Sequence, residues 1–203
     1  MNVLIVYYST YGHVYRMATL VAEGVKEIPG VQPVVRTVPE LIPKSVVDSR
    51  EDMTVGRELQ QHVPLVSKDD FREAGAIAFG TPTRFGNVSA QLKNQIDQLT
   101  SLWLKGELEG KPAGVFVSTA SLHGGQGTTI LTLMAALFHL GMILVGVPYS
   151  TPELFTTQGG GSPYGPGHVA GDDNKRQIDE QEAAICRALG RRLAVVGLKL
   201  QET

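Results

Sequence analysis

Residues 1–14 read MNVLIVYYSTYGHV, and their character changes abruptly at Ser9. Val3 to Tyr8 is an unbroken apolar run of strand length, rich in β-branched residues and ending in two tyrosines. Ser9, Thr10 and Gly12 follow at once. Beyond them Val14, Met17, Ala18, Val21, Ala22 and Val25 recur at helical spacing, one face of an amphipathic helix. The order is strand, tight polar loop, helix. In a parallel sheet such a loop lies at the carboxyl end of its strand, where the helix N-terminus offers free N–H groups and partial positive charge. Ser9, Thr10 and Tyr11 add hydroxyls, and Gly12 lets the backbone approach a ligand closely. The combination suits a phosphate monoester. An ordinary strand–loop–helix connection with a Ser/Thr cap is the other reading of this stretch alone. It is neither a Walker loop nor a G-x-G-x-x-G dinucleotide fingerprint.

The remainder repeats the same alternation. Residues 33–38 (PVVRTV) form a predicted second strand, residues 74–79 (AGAIAF) a third, residues 113–118 (AGVFVS) a fourth and residues 142–147 (MILVGV) a fifth. Helical patterns run over 88–99 and 130–139, and a last helix carries Ile178, Ile185, Leu189, Leu193 and Val196, with Asp172 or Asp173 placed to cap it. Residues 39–70 are polar and weakly periodic. They form a long excursion, with a short helix expected near 56–61. Residues 155–173 form a glycine- and proline-rich loop. Nearly continuous apolar strands with helices between them predict an α/β fold: one domain over 1–203, with a five-stranded parallel sheet and helices on both faces. Ligands of such sheets bind outside the carboxyl ends of the strands, where the strand order reverses. Three strands end there in unusual polar loops, after strands one, three and four.

Composition narrows the partners. A net charge of −2 does not favour nucleic acid or an anionic membrane surface. Cys186 is the only cysteine, so no internal disulfide forms, which suits a reducing cytoplasm. The N-terminal apolar run is too short for a signal peptide or a membrane helix. No two His, Cys or acidic residues show metal-ligand spacing, so no metal is expected.

The loops together resemble a known family. STYGH at 9–13, GTPTRFGN at 80–87, STASLHGGQ at 118–126 and GGSPYG at 160–165 are similar, in order and over nearly the whole chain, to the WrbA family. These are flavodoxin-like, FMN-dependent NAD(P)H:quinone oxidoreductases. The resemblance implies FMN as cofactor, NADH or NADPH as co-substrate and a quinone as acceptor, with ping-pong hydride transfer through the flavin. It implies that Ser9, Thr10, Tyr11, Gly12, His13 and Val14 cradle the FMN phosphate. Thr83, Arg84 and Phe85 would hold the isoalloxazine edge and one face. Ser118, Thr119, Ala120, Ser121, Leu122, His123, Gly124 and Gly125 would serve the pyrimidine end and the ribityl chain. His139 would lie near the flavin on the substrate side, and Tyr11 and Trp103 would line the pocket shared by nicotinamide and quinone. His139 or Tyr11 could donate a hydrogen bond to the quinone oxygen as charge builds there. The family is typically tetrameric; a dimer is the smaller alternative. Nothing carries over to residues 39–70.

One expectation rests on the residues themselves. Segments 9–22, 80–96 and 118–139 contain no Asp or Glu but do contain Arg16, Arg84, His13, His123 and His139. Surroundings free of acids favour an anionic, doubly reduced flavin and hence two-electron chemistry. A flavodoxin-type electron carrier, which would gain from acids there, and a flavin-responsive protein-binding module are the alternatives. The 159–167 loop is expected to cover the flavin or reach a neighbouring subunit.

Overall fold

The computed structural model describes residues 1–201. β1 (Asn2–Tyr7) is followed by α1 (His13–Lys26) and β2 (Gln32–Thr37). Three short helices come next, α2 (Lys44–Asp48), α3 (Glu51–Glu58) and α4 (Lys68–Glu73). Then come β3 (Ala76–Pro82), α5 (Ala90–Asp97), α6 (Thr100–Trp103), β4 (Pro112–Thr119) and α7 (Gln126–His139). β5 (Ile143–Leu144), α8 (Glu153–Thr156), β6 (Gly167–Val169) and α9 (Glu180–Gln201) complete the order. The sheet runs β2-β1-β3-β4-β5 with β6 also on β4, and every pairing is parallel.

Alternate residues of the central strands feed two cores. Leu4, Val6, Ile77, Phe79, Val115 and Val117 face α5 and α7, where Leu92, Ile96, Ile130, Leu133 and Leu137 are buried against them. Val3, Ile5, Tyr7, Ala76, Ala78 and Phe116 face α1 and α9. All six predicted apolar positions of α1 are buried. Each fully buried Val, Leu or Ile contributes about 1.5–3 kcal/mol from the removal of apolar surface from water. The two layers therefore hold the sheet edge that carries the site.

The structure departs from expectation in several places. The predicted fifth strand is split. Its lower half is β5, extended by a hydrogen bond from the Val145 N–H to the Ala113 oxygen. The chain then leaves the sheet, and β6 fills the upper half beside Val117–Thr119, giving six strands in place of five. Residues 159–167 are thus packed on the edge of the sheet. A side chain at Gly165 would place its Cβ 2.1 Å from the Val115 oxygen, an approach only glycine allows. The helical pattern over 88–99 is α5, with the short α6 following it, and the helix expected near 56–61 is α3, which begins earlier, at Glu51, and packs against α2. Neither Asp172 nor Asp173 caps α9. Asp179 does, accepting from the Glu182 N–H at 2.9 Å while Glu182 accepts from the Asp179 N–H at 3.0 Å. Residues 172–178 are used instead by a turn in which Asn174 is left-handed, at φ 57°.

Candidate functional site

β1, β3 and β4 all end at one edge, and their three loops meet in one cleft. Ser9, Thr10, Tyr11, His13, Val14, Pro82, Thr83, Arg84, Ser118, Thr119, Ala120, Ala170 and Asn174 line it. The loops are tied to one another. The Tyr8 N–H donates to the Gly80 oxygen at 3.0 Å and the Thr83 N–H to the Ser118 oxygen at 2.9 Å. Arg84 Nη2 donates to Thr10 Oγ1 at 2.8 Å, joining the first loop to the second.

The first loop has the features of an anion site. Gly12, at φ 87°, turns the chain into α1, and no side chain caps that helix. Its first N–H groups therefore face the cleft without a side-chain acceptor. Ser9 is 3% exposed, and its Oγ has no hydrogen-bond partner. A buried hydroxyl left unpaired costs about 1–3 kcal/mol, which a bound phosphate oxygen would recover. The residues fit an FMN phosphate on that ground.

The excursion over 39–70 buttresses this loop. Gln60 Nε2 donates to the Ser9 oxygen at 2.9 Å and to the Gly56 oxygen at 2.7 Å. Gly56 lies so close that an added Cβ would sit 2.6 Å from the Thr10 oxygen. The Arg50 guanidinium lies 5.7 Å from the centre of the Tyr11 ring. None of these contacts carries a motif, so only the packing reveals them.

The second loop makes a tight turn. The Arg84 N–H donates to the Asn87 oxygen at 2.8 Å and the Asn87 N–H returns a bond to the Arg84 oxygen at 3.1 Å. Phe85 at the tip is left-handed, at φ 54°, and its ring is fully exposed beside the cleft. A bulky residue in that region is strained, and such strain clusters at ligand sites. Ser118, Thr119 and Ala120 line the cleft, whereas Ser121, Leu122, His123, Gly124 and Gly125 continue from it to the start of α7. Among the described residues no Asp or Glu lines the cleft.

His139 and Trp103 lie elsewhere within one chain. They share a second groove with Lys93, Ile96, Asp97, Thr100, Ala136 and Leu140. α7 begins at Gln126 beside the cleft and ends at His139, so its 14 residues separate the two places by about 20 Å.

Behind the cleft lies a chain of buried polar groups that local spacing does not reveal. His13, 5% exposed, accepts or donates at Nδ1 with His168 Nε2 at 3.1 Å, and its Nε2 is 3.0 Å from the Asn174 oxygen. His168 and Glu182 are fully buried, with His168 Nδ1 3.1 Å from both carboxylate oxygens. Arg176 donates to the same oxygens at 2.9 and 3.0 Å. Burial and the neighbouring His168 push His13 below the ordinary histidine range. Burial alone would raise the Glu182 carboxyl, but the hydrogen bonds from His168 and Arg176 outweigh it and hold Glu182 below its usual range. Ala170 and Asn174 are cleft residues that the sequence reading missed. The Gly171–Asn174 turn residues were the available signal, but they read as a connection.

A parallel sheet ordered β2-β1-β3-β4-β5, with an anion-binding cleft at the switch between β1 and β3, defines the flavodoxin-like class. A solved structure bears this out: a WrbA-like flavodoxin from Agrobacterium tumefaciens, 24% identical, superposes with a TM-score of 0.68 over 98% of both chains. The chain belongs to the NADPH-dependent FMN reductase family, which matches residues 1–154. It is 46% identical to a Geobacter sulfurreducens protein named NAD(P)H dehydrogenase (quinone), over 98% of this chain and 99% of that one. It is 45% identical to a Solidesulfovibrio magneticus protein of the same name, over 99% of this chain and all of that one. The family resemblance read from the loops is borne out. Among the described residues no helix is long and apolar enough to cross a membrane.

Proposed function

We propose that the protein binds FMN in this cleft and reduces quinones by two electrons with NADH or NADPH. The observation that carries the reading is the unpartnered, buried Ser9 Oγ beside the uncapped start of α1, in a cleft that no acid among the described residues lines. The near full-length likeness to proteins named NAD(P)H dehydrogenase (quinone) supports the substrates. FMN bound here would supply the acceptor and donor of a hydride. Ser9, Thr10 and the first N–H groups of α1 would hold its phosphate. Thr83, Arg84 and Phe85 would set the ring, with Ser118 to Ala120 along its other edge. Tyr11, held by Arg50, would wall the space where the two substrates take turns, which gives ping-pong kinetics.

His139 and Trp103 enter this reading through assembly. In a homotetramer, or a dimer, the groove that holds them would face the cleft of another copy, where His139 would donate to the quinone oxygen. The buried lone Cys186 suits a cytoplasmic enzyme. The test is an anaerobic titration of the FMN-loaded protein with NADH or NADPH, followed by benzoquinone. Bleaching of the flavin band and its recovery on adding quinone, with parallel double-reciprocal lines in steady state, are expected. A bound flavin that neither nicotinamide bleaches would defeat the reading and favour a binding module.

A further inference from the structure

The hydrogen bonds of the buried chain fix how many protons it holds. At one end the Asn174 oxygen is 3.0 Å from His13 Nε2, and a carbonyl only accepts, so that nitrogen carries a hydrogen. At the other end the Glu182 carboxylate is 3.1 Å from His168 Nδ1, and it too only accepts while ionised. The link between the rings, His13 Nδ1 to His168 Nε2 at 3.1 Å, needs a third hydrogen. Two neutral imidazoles carry one hydrogen each, so the pair holds one extra proton when all of its bonds are made. The Glu182 carboxylate lies against His168 Nδ1, so the pair's positive charge is matched by its counter-ion at the His168 end. Every ring nitrogen is spent on these bonds, and no group of three or more His, Cys, Asp or Glu among the described residues could hold a metal ion.

The proton decides the charge behind the anion cleft. The groups facing the pair are Arg16 on α1, Glu182 on α9, and Arg176 and Asp179 on the connection into α9. Cys186, next along α9, stays a neutral thiol because burial raises it. Arg16 and Arg176 balance Glu182 and Asp179, so this set is neutral with the pair unprotonated and carries one net positive charge with it protonated. The alternative state is available: Arg176 Nη1 is 3.4 Å from His168 Nδ1 and can donate there once the proton has gone. His13 itself lines the cleft and opens α1.

We propose that the His13–His168 pair is the hidden cation of the phosphate site, so that FMN binding is linked to holding one proton and riboflavin binding is not. This rests on the flavin reading above. A dianionic phosphate at the start of α1 favours the protonated pair, and by reciprocity the protonated pair favours the phosphate. His168 is thus a positioning residue for cofactor choice, acting through His13.

Calorimetric titration of the flavin-free full-length protein with FMN and with riboflavin, from pH 7.5 to 9.5, tests it. A phosphate monoester has its second pKa at about 6, so the ligand is dianionic throughout this range. Two buffers of different ionisation heat count the protons. Uptake rising toward one proton with FMN and none with riboflavin is expected. The FMN-to-riboflavin affinity ratio should fall by up to about tenfold per pH unit once the pair has lost its proton. His168→Gln should take up no proton and flatten the ratio. Both flavins binding with no uptake and a flat ratio in the unaltered protein overturns the proposal and leaves the flavin site standing. If neither flavin binds, the flavin site falls and the proposal falls with it.

Discussion

At the scale of single residues, Ser9 and Glu182 carry separable predictions. Ser9 Oγ is buried without a partner, so its value is realised only when an anion occupies the cleft. A hydrogen bond to a charged group contributes about 1.5–3 kcal/mol, so Ser9→Ala should weaken FMN binding by about 10- to 100-fold and riboflavin binding little. Fluorescence titration with both flavins decides it, and equal losses for the two would remove Ser9 from the phosphate site. Glu182 concerns stability. It is fully buried against His168 and Arg176, and removing one partner of a buried charge cluster costs about 3 kcal/mol or more. Glu182→Gln should lower urea-unfolding stability by about that amount at pH 7. The pH dependence follows from the direction of the shift. A carboxyl held below its usual range contributes stability that is present above its unfolded pKa, about 4.3, and is lost as pH falls through the folded value. His13, also held low, acts in the same sense below about pH 6.5, because the unfolded chain takes up a proton that the folded one refuses. Stability should therefore decline from about pH 6.5 downward, and the part of the decline below about pH 4.3 should be less steep in the variant. An unchanged slope would show that the cluster is not the source. His168 was not legible in the sequence, because it sits in GPGHVAG, where the composition signals only a loop, and its partner Glu182 lies on a later helix.

At the scale of elements, what could be read followed from continuous apolar runs. β1, β3 and β4 are buried on both faces, so their sequences are uniformly apolar, and the polar loops after them stand out sharply. The split fifth strand was not readable. β5 pairs over two residues and β6 over three, too short for either to carry a pattern, and they meet only through β4. The excursion was illegible for a different reason: its contribution is a backbone approach. Gly56 on α3 packs on Thr10 and Tyr11, and a glycine that permits contact leaves no periodic trace. A methyl group there must displace the loop, α3 or both. Gly56→Ala should therefore weaken binding of FMN by about tenfold or more, with a smaller change in unfolding stability, since α3 buries only Met53 and Gly56. Crystallography of the variant would show the loop displaced from the start of α1. Unchanged flavin affinity would mean that α3 does not position the loop.

At the scale of the whole molecule, the cleft and the groove with His139 and Trp103 are separated by the length of α7, and a single chain cannot bring them together. The surface near the groove is unusually apolar for an exposed face. Trp103, Leu104 and Phe138 are 48%, 72% and 64% exposed. Such a patch beside a groove of mixed polarity suits an interaction surface. The proposed tetramer offers it an occupant: another copy, whose cleft would then gain His139 as a wall. Phe138 and Leu104 are solvent-facing, so charging them should spare the fold. Phe138→Asp with Leu104→Asp should shift the protein to smaller species in light scattering. If assembly completes the substrate pocket, quinone turnover should fall at least tenfold in the same variant. FMN affinity should change little, because the phosphate and ring contacts lie within one chain. His139→Ala should lower quinone turnover in the assembled protein without altering its size. A protein that is monomeric yet turns over quinone at full rate would separate His139 from the chemistry. It would then confine the active site to the cleft of a single chain.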